Sequence, residues 1–193
     1  MLHGLTGTPE MIRPLAETLC PPDWNILLPE GPFIHPKRGR GWWFRDAPPE
    51  SPLDESSFVQ IEQSLTMLES LIPDGPLIVG GFSQGSALAQ ELLSTDYANQ
   101  IFGVLIIGGK SARPDVLRTI LNRLPPRKVL SMHGKSDHLV PLWQGDETVE
   151  IFREANWDVT ELRHEKGHMV NLAQQQELID WVQMTAEVSD NGS

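Results

Sequence analysis

The chain has 193 residues, 39% hydrophobic and 21% charged, which suits one globular domain with a buried core. Its formal net charge of -11 repels phosphate backbones and argues against nucleic-acid binding. No apolar run is long enough for stable membrane insertion, no secretory signal opens the chain, and Cys20 has no second cysteine to pair with, so a reducing, cytoplasmic setting is expected.

The predicted elements alternate short apolar runs with longer amphipathic stretches, the pattern of a parallel sheet covered by helices. Thr8 and Pro9 open a helix whose Ile12, Leu15 and Leu19 share one face. Residues 25–28 read as a strand. Residues 29–53 are rich in proline and glycine and form a long loop that can cover a site; Trp42, Trp43 and Phe44 lie within it. Asp54 starts a helix in which Phe58, Ile61, Leu65, Leu68 and Leu71 recur every three or four residues. Strands follow at 77–80, 102–107 and 128–132, almost wholly apolar, as strands buried on both faces should be. A more polar strand at 158–162 suits an edge. Helices fall at 84–93, 114–124, 147–155 and 172–184. Residues 1–188 make a single domain, and 189–193 a frayed tail.

The strongest chemical signal is Gly81-Phe82-Ser83-Gln84-Gly85, a G-x-S-x-G nucleophile elbow. Chance would place the pentapeptide in roughly one chain of this length in ten, so context decides. Here an apolar strand precedes the serine and a helix follows it. A serine needs a base, and the base an orienting acid, which in this architecture follow in the order Ser, Asp or Glu, His. Asp137, in His133-Gly134-Lys135-Ser136-Asp137, falls just past an apolar strand, and His168 just past the last one. Either alone would pass as a turn residue or a surface histidine; in this order behind the elbow they read as a triad.

Leu2-His3-Gly4-Leu5-Thr6-Gly7 is a glycine-rich turn before a helix. It can aim a backbone N–H at an oxyanion or serve as a plain helix entry. The N–H of Gln84, next to the nucleophile, is the other expected donor. His133 and His138 flank Asp137 without zinc-type spacing, so no metal is expected. His133 is expected to shape the Asp137 loop, and His35 and His164 to lie on the surface. Trp42, Trp43 and Phe44 either line an acyl groove or anchor their loop on the core. Lys37, Arg38, Arg40 and Arg45 either meet an anionic part of a substrate or are simply solvated.

Together these motifs resemble the phospholipase/carboxylesterase family of α/β-hydrolases, which includes bacterial carboxylesterases and acyl-protein thioesterases. The matching pieces are Leu2-His3-Gly4-Leu5, Gly80 to Gly85, His133-Gly134 with Asp137 and Val140-Pro141, and Gly167-His168. The resemblance implies an α/β-hydrolase fold, a mainly parallel sheet with helices on both faces. It also implies Ser83 as nucleophile, His168 as base, Asp137 as its orienter, and Leu5 and Gln84 as oxyanion donors. The reaction would be hydrolysis of an ester or thioester through an acyl-enzyme, without a cofactor, on carboxylic esters of small to medium acyl chains. Thioester or lysophospholipid cleavage, or a non-catalytic binding protein on the same scaffold, are the alternatives. Oligomeric state is not legible. One departure stands out: Met1 lies two residues before His3, where family members have a strand. The N-terminal strands are expected to be missing or truncated, with the true start upstream and unpaired backbone groups beside the gap.

Overall fold

The computed structural model describes residues 1–45 and 51–190, with side chains through 188; Pro48 and Pro49 of the predicted loop, and the end of the expected frayed tail, lie outside the described residues. In chain order the elements are α1 (Pro9–Leu19), β1 (Phe33–Ile34), β2 (Arg40–Gly41), α2 (Glu55–Glu69), β3 (Leu77–Phe82), α3 (Gln84–Glu91), β4 (Ile101–Ile107), α4 (Pro114–Leu121), β5 (Lys128–Gly134), α5 (Leu142–Glu154), β6 (Asp158–His164) and α6 (Gln175–Asp190). Strands β3-β4-β5-β6 form a parallel sheet in sequential order, while β1 and β2 pair as a separate short antiparallel hairpin.

Two apolar clusters sandwich the sheet. One joins Ile61, Leu65 and Leu68 of α2 to Val79, Val104, Ile106 and Phe152. The other joins Ile12, Leu15 and Leu19 of α1 to Leu105, Ile107, Leu130, Leu178 and Trp181. Alternate residues of β4 thus serve opposite faces, as the two-residue period of a strand requires. This arrangement is the expected α/β fold with helices on both faces.

Local chemistry explains the ends. Asp54 accepts the Ser57 N–H at 2.7 Å and caps α2. Thr8 occupies the N-cap position of α1 without a side-chain bond, and Pro9 supplies the fixed first turn. α5 begins at Leu142, directly after Pro141, five residues before the helix predicted from position 147. The exposed Trp143 and the glycine at 145 had hidden that first turn from its periodicity.

The predicted strand at 25–28 is corrected: those residues are extended but belong to no sheet. The reason is a missing neighbour. Among the described residues only Leu2 pairs on the open edge of β3, parallel with Gly81. Its N–H donates to the Gly80 carbonyl at 2.8 Å, and its carbonyl accepts the Phe82 N–H at 3.1 Å. The expected N-terminal strand is therefore reduced to its last position.

Candidate active site

Ser83 stands at the junction of β3 and α3 with φ 53° and ψ -120°, a left-handed backbone that a non-glycine residue adopts only when its surroundings enforce it. They do so here. The Ser83 N–H donates to the Ile107 carbonyl at 2.8 Å, and the Ser83 carbonyl accepts the Ser86 N–H at 3.0 Å. Glycine at 85 is a steric necessity, since a Cβ there would come within 2.4 Å of the His3 and Leu2 carbonyl oxygens. The N-terminal turn therefore packs directly on the elbow.

Asp137 follows β5 and is buried with its carboxylate fully shielded. One oxygen, Oδ1, accepts the N–H groups of Leu139 and Val140, each at 2.9 Å. The other, Oδ2, lies 2.7 Å from His168 Nδ1. The bond places the proton on Nδ1 and leaves Nε2 as the basic nitrogen. The His168 ring packs 4.8 Å from that of Phe82, the residue before the serine. Asp137 and His168 are thus bonded, and Phe82, the residue before Ser83, packs on the imidazole. Among the described residues the Ser83 hydroxyl makes no hydrogen bond to the imidazole; such bonds often close only when substrate arrives.

His133 is fully buried behind the carboxylate. Its Nε2 bonds the Val140 carbonyl at 2.8 Å and lies 3.5 Å from Asp137 Oδ2. It braces the Asp137 loop from within. His138 is exposed, and no cluster of three potential metal ligands occurs among the described residues.

The Leu5 and Gln84 N–H groups make no hydrogen bond among the described residues. Gln84 uses its side chain elsewhere: Oε1 accepts the Trp42 N–H at 2.9 Å and Nε2 donates to the Trp43 carbonyl at 2.7 Å. The turn carrying Leu5 is held by His3, which the sequence reading had not singled out for a role of its own. His3 Nε2 accepts the Gly31 N–H at 3.0 Å, so the proton sits on Nδ1, which donates to the Gly4 carbonyl at 2.8 Å. Burial, foremost, lowers the His3 pKa and keeps the ring neutral.

Trp42 and Trp43 require a correction. Both are buried, Trp42 at 0% exposure, and have no free surface to line a groove. The Trp42 indole N–H donates to the His3 carbonyl at 2.8 Å, its ring stacks on His3 at 4.9 Å, and its carbonyl accepts the Ser64 hydroxyl at 2.6 Å. They anchor the loop. Phe44 is only half buried, beside Phe33 and His35. A Cβ at Gly41 would lie 2.8 Å from Leu5 Cδ1 and 2.9 Å from Phe44 Cε1, so these two side chains converge there.

His164 is also corrected. It is buried, not on the surface, and desolvation, followed by Lys166 and His133, lowers its pKa. In the basic cluster, Arg40 pairs with Glu30 at 3.1 Å and Arg45 bonds the Ser51 carbonyl, so both serve the loop's own structure.

Comparison with known proteins identifies the family and the fold. The family model described as phospholipase/carboxylesterase matches residues 1–186. Acyl-protein thioesterase 1 of Saccharomyces cerevisiae is 27% identical over 173 residues, covering 80% of this chain and 76% of its own. Among solved structures, Arabidopsis thaliana SOBER1 superposes with a TM-score of 0.75 at 21% identity, covering 96% of each chain. Zea mays acyl-protein thioesterase 2 gives 0.75 at 21%, covering 95% of this chain and 91% of its own. A Bacillus cereus carboxylesterase gives 0.72 at 20%, covering 95% and 86%.

Proposed function

The chain belongs to the phospholipase/carboxylesterase family, and from that premise we propose that it is a serine hydrolase cleaving carboxylic esters of small to medium acyl chains through an acyl-enzyme on Ser83. The observation that carries this reading is the Asp137–His168 bond of 2.7 Å beside a strained serine elbow. A buried carboxylate holding an imidazole in one tautomer next to a serine is what general-base activation of a hydroxyl needs.

His168 Nε2 takes the Ser83 proton as Oγ attacks the acyl carbon. The N–H groups of Leu5 and Gln84 receive the oxyanion, and their lack of other partners supports that role. The imidazolium then protonates the leaving group, and water repeats the sequence on the acyl-enzyme. No cofactor enters these steps. Leu5 and Phe44 would form an apolar wall for the acyl chain.

Thioester cleavage uses the same groups, and the similarity to acyl-protein thioesterases favours it as the second reading. Small-molecule esters or thioesters are the partners in both, and the lone cysteine suits a reducing, cytoplasmic setting. Among the described residues no helix is long and apolar enough to cross a membrane.

The test is hydrolysis of p-nitrophenyl esters from C2 to C12, and of the matching acyl thioesters, by the wild type and Ser83→Ala. The variant should lose about 10⁴-fold or more in kcat. A fluorophosphonate should label the wild type only. A folded wild type that neither hydrolyses nor labels would leave a non-catalytic scaffold as the answer.

A further inference from the structure

The two N–H groups proposed as oxyanion donors lie far apart in the chain, Leu5 in the N-terminal turn and Gln84 at the start of α3. In a planar trans peptide the N–H points opposite to the carbonyl of the same unit. Whatever holds the Ser83 carbonyl therefore aims the Gln84 N–H, and whatever holds the Gly4 carbonyl aims the Leu5 N–H. The Ser83 carbonyl accepts the Ser86 N–H at 3.0 Å and the Ser86 hydroxyl at 2.7 Å. The Gln84 donor is thus aimed from within α3.

The Gly4 carbonyl is held differently. It accepts the Gly7 N–H at 3.0 Å and His3 Nδ1–H at 2.8 Å. The imidazole is gripped in turn from both ends of the β1–β2 hairpin. Gly31, before it, donates to Nε2 at 3.0 Å, and the Trp42 indole, after it, lies on the ring face with 29° between the planes. The indole N–H also donates to the His3 carbonyl at 2.8 Å, which fixes the preceding peptide unit. Trp42 reaches the elbow as well. Its backbone N–H donates to Gln84 Oε1 at 2.9 Å, and Gln84 Nε2 returns to the Trp43 carbonyl at 2.7 Å. Its own carbonyl accepts the Ser64 hydroxyl, so this fully buried bridge is tied to α2.

We propose that Trp42 is a positioning residue of the oxyanion pair: its indole grips His3, its backbone grips Gln84, and the Leu5 N–H is thereby kept in register with that of Gln84. The inference rests on the serine-hydrolase reading and gives the hairpin loop a part in the chemical step. A residue that only anchors a loop acts through its bulk and burial. One that aims a donor acts through the indole N–H, and a displacement of about 1 Å in such a group can cost about 10²-fold in rate.

The experiment replaces Trp42 by benzothienylalanine, which keeps the shape of the indole with sulfur in place of the ring N–H, and separately makes Trp42→Phe. Both chains and the wild type are assayed on p-nitrophenyl acetate and with butylboronic acid, whose tetrahedral serine adduct puts an oxygen in the oxyanion site. In both variants kcat should fall on the order of 10–100-fold with KM within ~2-fold, and the boronate Ki should rise by the factor that kcat loses. In a His3→Leu background, where the turn is already released, the same replacements should cost under ~3-fold. Wild-type kcat and boronate affinity in the benzothienylalanine chain, a change confined to KM, or an undiminished loss in the His3→Leu background would overturn the assignment while leaving the hydrolase reading intact. A wild type that neither hydrolyses nor labels with a fluorophosphonate would overturn both.

Discussion

At the scale of single residues, the site depends on three histidines with separate tasks. His168 bonds Asp137 and is the proposed base, His133 braces the loop of Asp137, and His3 holds the turn that carries Leu5, the proposed oxyanion donor. His3 allows the sharpest test. Its two ring nitrogens face opposite backbone groups, a donor at Gly31 and an acceptor at Gly4, so only the neutral Nδ1–H tautomer satisfies both. His3→Leu removes both bonds and leaves the Gly31 N–H unpaired. Losing one oxyanion donor typically costs about 10²–10³ in kcat, so a misplaced Leu5 should cost up to that, with KM nearly unchanged. His3→Asn, which can still donate to Gly4, should retain part of the rate. Steady-state kinetics on a short p-nitrophenyl ester decide: a fall confined to KM would mean that His3 shapes substrate binding and not the oxyanion turn.

At the scale of elements, a buried ion pair ties the helices over one sheet face. Arg113, at the N-cap of α4, donates Nε to Glu91 of α3 at 2.8 Å and Nη1 to Glu62 of α2 at 2.7 Å. Glu91 is buried, and desolvation raises its pKa against the opposing pull of Arg113. Removing one partner of such a pair leaves an unpaired buried charge. Arg113→Met should therefore destabilise by about 3–5 kcal/mol, and Glu91→Leu added to it should recover most of that. Urea melts of the single and double variants measure both. If the single variant melts like the wild type, the pair contributes only surface-like energy. This network was not legible in sequence, because nothing in the local pattern of Glu91 or Arg113 sets them apart from solvated charges. The strands of the parallel sheet and the elbow were legible, since apolar runs and a glycine-flanked serine are local signals. Residues 25–28 and Trp42 mark the boundary. The first had a strand's composition but no neighbour to pair with. The second's burial depended on hydrogen bonds to residues 3, 64 and 84, contacts that no local spacing encodes.

At the scale of the whole molecule, several desolvated groups make stability depend on pH in one direction. The Met1 ammonium titrates at about 5 against 8.0 when free, and His3 and His164 are both lowered from 6.5, chiefly by burial. Around His3, Glu30 and Glu10 pull its pKa upward and Arg40 pushes it down, without reversing that shift. For each of these groups the unfolded chain binds protons more readily than the folded one. Their contribution is full above the unfolded value and is lost as pH falls toward the folded one. Glu91 has the opposite sign: its folded pKa is raised, so its contribution is full at low pH and lost as pH rises through that value, which opposes the others only at the acid end. Tm should thus fall on acidification from pH 8, first through the amine and then, below about 6.5, through the histidines as well. Nα-acetylation of Met1 separates the two. It removes the charge, so the acetylated chain should melt at a nearly constant temperature between pH 8 and 6.5 and decline only below that. Scanning calorimetry of both forms across this range is the measurement. If the unacetylated chain also held its melting temperature between pH 8 and 6.5, the Met1 ammonium would be hydrated in the folded chain, and the acid sensitivity would belong to the histidines alone.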